Sequence, residues 1–335
     1  MPVSSSRSAR LLMVRLSSFG DIVLAEPVAR ALKTAFPGSE LAFAVYPEYA
    51  GLPEMFSSVD EVLTYSKRAA ASGSDLAGRT FDIVVDLQTN RHSGRITSRA
   101  KAGRVLRYKR PRLGRFFTVY LPRIWKGPQP HTIKTYFRTL RPLGITYSGE
   151  VPRITPGPRI LEDARAFLGP GAAVAICPGS SSEHKSWGDE RFAHLVGLLE
   201  GKYRVLLAGS EHDRSAIEGI LRRVGGETPA VYVGRDISMI AGLLALCRVT
   251  VTNDSGLMHL AGAVGSRPVA IFGPTSPLLG FAPAAEGAVV LSMEMGCSPC
   301  SFHGNKPCRL DRRYCMEGIT PDTVASVVGG IMEEE

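Results

Sequence analysis

The sequence predicts an α/β fold of two Rossmann-like domains facing a central cleft. Three observations carry that prediction. Short apolar runs alternate with helical patterns along the chain, the signature of parallel sheets. Prolines and glycines thicken from Pro142 to Gly171, and the alternation starts afresh beyond them. The length of 335 residues is comfortable for two domains. The expected division is 1–155 and 156–335, the second domain closing on a terminal helix. At 44% hydrophobic and 21% charged, the composition is that of a globular protein, and no apolar run is long enough to span a bilayer.

Taken in order, Leu11 to Leu16 is an apolar run and the first expected strand. The loop Ser17-Ser18-Phe19-Gly20-Asp21 follows it, then a helix over Ile22 to Phe36 with Ala, Leu and Val recurring on one face. Pro27 falls in the second turn of that helix, and Pro37-Gly38 stops it. Leu41 to Tyr46 and Asp82 to Leu87 are strands, and Arg91 to Lys101 is helical. Pro152, Pro156, Gly157 and Pro158 mark a linker. The second half opens with a strand at Ala173 to Cys177 and the loop Pro178-Gly179-Ser180-Ser181-Ser182. A helix from Asp189 to Glu200, a strand at Arg204 to Ala208 and the loop Gly209-Ser210-Glu211-His212 come next. Ile237 to Leu246 reads as helix, Val249 to Thr252 as strand, Gly256 to Val264 as helix and Val269 to Phe272 as strand. Pro321 to Met332 is the terminal helix.

Charge is unevenly placed. The chain is net +9, yet no Asp or Glu occurs between Asp86 and Glu150, where fifteen Lys and Arg lie. The remainder is therefore net negative. A field of one sign attracts anionic partners, and a solvated basic face is the plain alternative. Within the stretch, Arg91, Arg95 and Arg99 recur at i+4, so one helix face carries three guanidinium groups suited to carboxylate or phosphate. A nucleic-acid backbone would satisfy the same face, although no recognised nucleic-acid module accompanies it. The apolar run after Arg7 and Arg10 is too short for a signal-peptide core, so a cytoplasmic location is expected.

Six cysteines divide into two kinds. Cys177 and Cys247 sit in apolar patterns and read as buried thiols. The other four are spaced Cys297-x2-Cys300-x7-Cys308-x6-Cys315. In a cytosolic chain such a cluster points to metal before disulfides, with four reduced, unligated thiols as the alternative.

Ligands of open α/β sheets bind at the carboxyl ends of strands, so the loops after strands carry the functional reading. None matches the Walker A or the Gly-x-Gly-x-x-Gly pattern, which argues against ATPase and dehydrogenase chemistry. Asn253-Asp254-Ser255-Gly256 opens a helix whose free N–H groups and dipole suit a diphosphate, with His259 one turn further on. Read alone it is a helix cap. Pro178 to Trp187 offers serine hydroxyls and Lys185 to phosphate oxygens. Asp21 reads on spacing as a helix cap, and alternatively as a general base.

These loops together resemble the ADP-heptose:lipopolysaccharide heptosyltransferases of glycosyltransferase family 9, nearest to the heptosyltransferase II type. The matching segments are Val14 to Val23, Cys177-Pro178-Gly179-Ser180 with Lys185-Ser186-Trp187, Thr252 to Ala261, and Phe272 to Pro277. The resemblance implies a GT-B fold and inverting transfer of heptose from ADP-heptose to the lipopolysaccharide inner core, with no cofactor or metal needed for catalysis. It implies Asp21 as general base and Lys185 on the donor phosphates. Ser180, Ser181, Asp254, Ser255, Gly256 and His259 would hold the donor. Ser238 and Met239 would lie beside the base, and Glu211 or Asp213 at the ribose. Ser17, Ser18 and Gly20 join Arg91, Arg95 and Arg99 as expected acceptor contacts. An anionic acceptor and the inner membrane surface, bound peripherally, are the implied partners. Another nucleotide-sugar or acceptor is the enzymatic alternative. The four cysteines depart from the family's best-known members, and they fit a structural zinc site.

Overall fold

The computed structural model describes residues 8–66, 78–120 and 128–334. The chain divides into two compact units. One runs up to Pro111 and resumes over Thr132–Thr155, and the other comprises Arg112–His131 and everything from Pro156. The sequence reading put residues 112–131 with the first half, but they cluster with the second. The helix Arg112–Tyr120 carries Arg115 over the ring of Phe281, and the Gln129 N–H donates to Leu278 O at 2.8 Å. Nothing in an arginine-rich stretch marks such an excursion, because it is fixed by partners far along the chain.

The first unit holds a five-stranded sheet made of β1 (Arg10–Val14), β2 (Glu40–Val45), β3 (Glu61–Thr64), β4 (Thr80–Asp86) and β5 (Lys101–Arg107). The spatial order is β3-β2-β1-β4-β5, and every pairing is parallel. The second holds six strands: β6 (Ala173–Cys177), β7 (Arg204–Gly209), β8 (Ala230–Val233), β9 (Cys247–Asn253), β10 (Arg267–Phe272) and β11 (Val289–Ser292). Their order is β11-β10-β9-β6-β7-β8, again all parallel. Central strands β1 and β6 are nearly continuous apolar runs because helices cover both faces, whereas β9 alternates Val with Thr and is buried all the same beyond Arg248. In each sheet the winding reverses once, between β1 and β4 and between β6 and β9. Those two reversals are the switch points beside which ligands bind in this class of sheet.

Three of the expected elements take other bounds than the sequence suggests. The helix expected over Ile22 to Phe36 is two, Phe19–Val23 and Glu26–Ala35. Pro27 has no N–H to give the Val23 carbonyl, so the helix restarts with Pro27 in its first turn. The linker ends earlier than expected: Pro158 opens a helix, Pro158–Leu168, where a missing N–H costs nothing. Gly169, at φ 74°, ends it. Finally, Lys101 opens edge strand β5, and the preceding helix stops at Arg99. The strands β3, β5, β8 and β11 were all missed. All four are edge strands, partly polar or half-exposed, and so lack the apolar run that reveals a buried strand.

Candidate active site

At the first switch point the β1 loop is held from below by β4. Gln88, 6% exposed, accepts the N–H groups of Leu16 and Ser17 on one Oε1, at 3.1 and 3.2 Å. The buried Asp86 fixes Gln88 in turn, taking the N–H of Gln88 and of Thr89 on Oδ1 at 2.9 and 2.8 Å. Its Oδ2 accepts from Ser93 Oγ at 2.9 Å, which ties in the helix Arg91–Arg99. Thr89 sits at φ 47°, left-handed backbone that an Asx-type clasp of this kind stabilises.

Asp21 is not a helix cap. Ser18 holds that position, and Asp21 lies inside the first turn. Its carboxylate is gripped from three sides. Arg15 NH2 lies 2.5 Å from Oδ2, Ser18 Oγ donates to Oδ2 at 2.9 Å, and Tyr136 OH donates to Oδ1 at 2.9 Å. Burial by itself would raise the Asp21 pKa. The Arg15 charge and the three hydrogen bonds oppose it and hold the carboxylate below its ordinary value. Burial pushes the Tyr136 phenol well above its usual range, so it remains a donor. Arg15 is itself buried and anchored by NH1 to Leu87 O at 2.7 Å. The Asp21 side chain keeps 21% of its surface open, so one edge of a fixed anion is available.

At the second switch point the loops after β6, β9 and β10 converge. Lys185 is 7% exposed, and its Nζ lies 2.9 Å from Asp254 Oδ2 and 3.5 Å from Ser181 Oγ. Thr275 Oγ1 donates to the same Asp254 oxygen at 2.7 Å. Asn253 staples two loops together: its Oδ1 accepts from Trp187 N–H at 3.0 Å, and its Nδ2 donates to Pro178 O at 2.7 Å. Trp187 is fully buried, with its indole N–H on Ile319 O at 2.9 Å. Lys185 therefore projects from a loop pinned on both sides.

Ser255 occupies the cap position of the helix Gly256–Ala263, yet its side chain makes no capping bond. It meets the Thr252 hydroxyl at 3.1 Å instead. The first-turn N–H groups of this helix thus lack a side-chain cap, and the sequence expectation of an ordinary capped helix is corrected. Such an end presents positive partial charge beside Lys185.

The other expected donor residues fall around these loops. Ser180 Oγ donates to Ser182 O at 2.7 Å, shaping the turn. Asp213 leans over the glycine of that turn: a Cβ on Gly179 would stand 2.3 Å from Asp213 Oδ1. Its Oδ2 accepts from the N–H and hydroxyl of Ser210, both at 2.8 Å. Glu211 is more exposed and pairs with Arg214 at 2.9 Å. Ser238 and Met239 lie in the first turn of the helix Ile237–Ala245, and their N–H groups donate to Asp236 Oδ1. His259 is buried in the helix Gly256–Ala263. Arg91, Arg95 and Arg99 are all exposed along one face of their helix, in the same unit as Asp21, Ser17, Ser18 and Gly20.

The four clustered cysteines line one small cavity together with Lys306, Arg312 and Arg313. Burial, and after it the neighbouring cysteines, push the Cys300 thiol up to about 11. Cys177 and Cys247 are buried in the core, as their sequence context implied, and burial raises both thiols.

Sequence reasoning passed over several residues that build these sites. Gln88 and Tyr136 converge on the Asp21 loop from distant segments, and Arg15, just before the loop, has no pattern that marks its pairing with Asp21. Asn253 and Thr275 lay inside quoted motifs but were given no task. Arg313 donates from NH1 to the carbonyls of Glu183, His184 and Ser186 at 3.0, 3.4 and 3.1 Å, bracing the Lys185 turn from 127 residues away or more.

The chain is 35% identical over 122 residues to lipooligosaccharide heptosyltransferase 2 of Haemophilus influenzae, an alignment covering 35% of each chain. The matched stretch thus spans about a third of that relative's length. Among solved structures, a glycosyltransferase family 9 protein from Veillonella parvula superposes with a TM-score of 0.81 at 20% identity, covering 99% of this chain and 100% of that one. The E. coli ADP-heptose lipopolysaccharide heptosyltransferase II gives 0.73 at 18% identity, over 96% and 98%. These likenesses make the two parallel sheets those of a GT-B fold. Residues 70–310 match the family described as glycosyltransferase family 9 (heptosyltransferase), and the chain belongs to that family.

Proposed function

We propose that the chain is an inverting, metal-independent glycosyltransferase that moves a heptose from ADP-heptose to the anionic inner core of lipopolysaccharide. The observation that carries the reading is the Lys185–Asp254–Thr275 cluster beside the uncapped helix start at Gly256. Transfer leaves a diphosphate with growing negative charge. A pinned lysine and a helix N-terminus supply matching positive charge without reorganising. Ser180, Ser181, Ser255 and His259 complete the donor side, with Ser238 and Met239 beside the base. Asp213 and Glu211 are the carboxylates available to ribose hydroxyls. The family relatives suggest the sugar: the E. coli relative is an ADP-heptose lipopolysaccharide heptosyltransferase.

Asp21 is the proposed base. Inversion needs a proton acceptor on the face opposite the leaving group. The Asp21 carboxylate takes the proton of the attacking acceptor hydroxyl, and the C–O bond to the diphosphate breaks as the new glycosidic bond forms. Its ion pair with Arg15 lowers its basicity but fixes its direction, which favours geometry over proton affinity. The basic segment with Arg91, Arg95 and Arg99 would meet the phosphate-bearing acceptor and an anionic inner-membrane surface. Among the described residues no helix is long and apolar enough to cross a membrane. Membership of a glycosyltransferase family leaves the nucleic-acid reading without support.

The test is a panel of nucleotide-sugars screened for thermal stabilisation and then for transfer. ADP-heptose should raise the melting temperature and be consumed only with a heptose-accepting core present. Stabilisation and transfer with a different nucleotide-sugar, and none with ADP-heptose, would replace the donor assignment.

A further inference from the structure

Outside the catalytic loops, the densest group of reactive side chains is the set of four cysteines. Cys297, Cys300 and Cys308 lie in the irregular stretch before the short helix Tyr314–Glu317 and Cys315 lies in that helix, yet all line the same cavity of ≈ 20 Å³, the size of one water or ion. Its remaining wall includes Lys306, Arg312 and Arg313. Four thiolates around a divalent cation carry a net charge of −2, and three cations at the rim are the complement such a centre needs. The spacing of the first pair, Cys-x2-Cys, is that of a zinc-binding knuckle.

The segment carrying the cysteines also grips the loops of the second switch point. Cys300 N–H donates to Pro274 O at 2.8 Å, and Ser298 Oγ to Gly273 O at 2.8 Å. Ser182 Oγ donates to Gly304 O at 3.0 Å. Gly304 lies against Lys185 so closely that a Cβ there would come 2.6 Å from Lys185 Cγ. Arg313, two residues before Cys315, holds the carbonyls of the Lys185 turn. Both the Lys185 and the Thr275 loops are thus clamped by a stretch with little regular structure of its own. Such a stretch needs a cross-link to hold its shape.

We propose that the four cysteines bind one zinc-class divalent ion, and that this ion fixes the clamp on the loops bearing Lys185 and Thr275. The second half of the proposal rests on the donor reading above. Each ligating thiol releases its proton to solvent as its sulfur–metal bond forms. Among the described residues no three ligand-type side chains already stand in ligating geometry, so binding draws the four sulfurs inward. Cys297 and Cys308 are exposed, whereas Cys315 is buried and sets the centre.

The experiment uses the full chain, purified with reductant and without added chelator, and measures metal content, free thiols and ADP affinity on the same sample. The expected result is about one zinc per chain, with cobalt exchange giving thiolate charge-transfer absorption. In the variant Cys297→Ser with Cys308→Ser, whose sites are exposed and outside the core, metal content should fall to background. ADP binding should weaken roughly tenfold while the far-ultraviolet spectrum is kept. Arg313→Lys, with metal retained, should weaken ADP binding in the same direction. No metal in the native chain, or disulfides in place of free thiols and metal, overturns the site. Metal that departs without changing ADP affinity overturns the clamp. A native chain that holds zinc but binds no ADP counts against the donor reading and leaves the metal site standing.

Discussion

Asp21 and Lys185 are each held in place by an opposite charge, and the consequences can be measured. The Asp21 carboxyl titrates below its ordinary value of 3.8, since the Arg15 charge and the hydrogen bonds from Ser18, Tyr136 and Arg15 outweigh the burial penalty. The group stabilises the fold above that pH and loses its contribution as pH falls through the depressed folded value. A rate profile should therefore show no acid limb from Asp21 at neutral or mildly acidic pH. A limb between roughly pH 5 and 7 that vanishes in Asp21→Asn would contradict this. The same variant should lose about 10²–10⁴-fold in kcat while ADP still binds. Tyr136→Phe removes one donor from Asp21 and should shift the profile upward in pH, a change that packing loss alone would not produce. Lys185→Ala should cost roughly 10²–10³-fold in kcat/KM, as the loss of one preorganised charge does. At this scale the sequence was legible only where motifs are contiguous. Asp21, Lys185 and Asp254 stand in recognisable loops. Arg15, whose side chain decides the state of Asp21, was read merely as part of a strand.

The elements explain why those loops are rigid. The loops after β6 and β9 are sewn together by Asn253, Thr275 ties in the loop after β10 through Asp254, and the glycine of the first lets Asp213 pack down on it. Gly179→Ala would place a methyl inside that carboxylate. It should destabilise by about 1–3 kcal/mol and raise the donor KM, read by denaturant unfolding and steady-state kinetics. In the first unit, Glu26 is a buried carboxylate that ties its helix to the returning chain. It pairs with Arg30 at 2.9 Å and accepts from Arg153 N–H at 2.8 Å. Glu26→Ala should cost on the order of 3 kcal/mol in the melting of that unit without altering ADP affinity. Strands β1 and β6 were readable because burial on both faces makes them apolar, and β9 because Val alternates with Thr along it. The edge strands were not, and the helix at Pro158 was hidden in a proline-rich passage where only the positions of Pro158 and Gly169 betray its ends.

Across the whole molecule, charge and chain path tell different stories. The fifteen cations between Asp86 and Glu150 were visible at once as a property of the sequence. Their distribution over two units was not, because the helix Arg112–Tyr120 leaves the first unit to pack with the second. Arg91, Arg95 and Arg99 remain with Asp21, so their combined replacement by alanine should weaken anionic acceptor binding and its salt dependence, with ADP binding unaffected. The central claim is that the Lys185 cluster carries the diphosphate of a sugar donor while Asp21 activates the acceptor. It is tested most directly by mixing the protein with ADP-heptose and heptose-deficient lipopolysaccharide core and following ADP release together with core mass. The native chain should add one heptose per ADP released, Lys185→Ala should bind donor poorly, and Asp21→Asn should bind it well without turnover. Undiminished transfer by Asp21→Asn and Lys185→Ala, or no transfer by the native chain, would contradict the account.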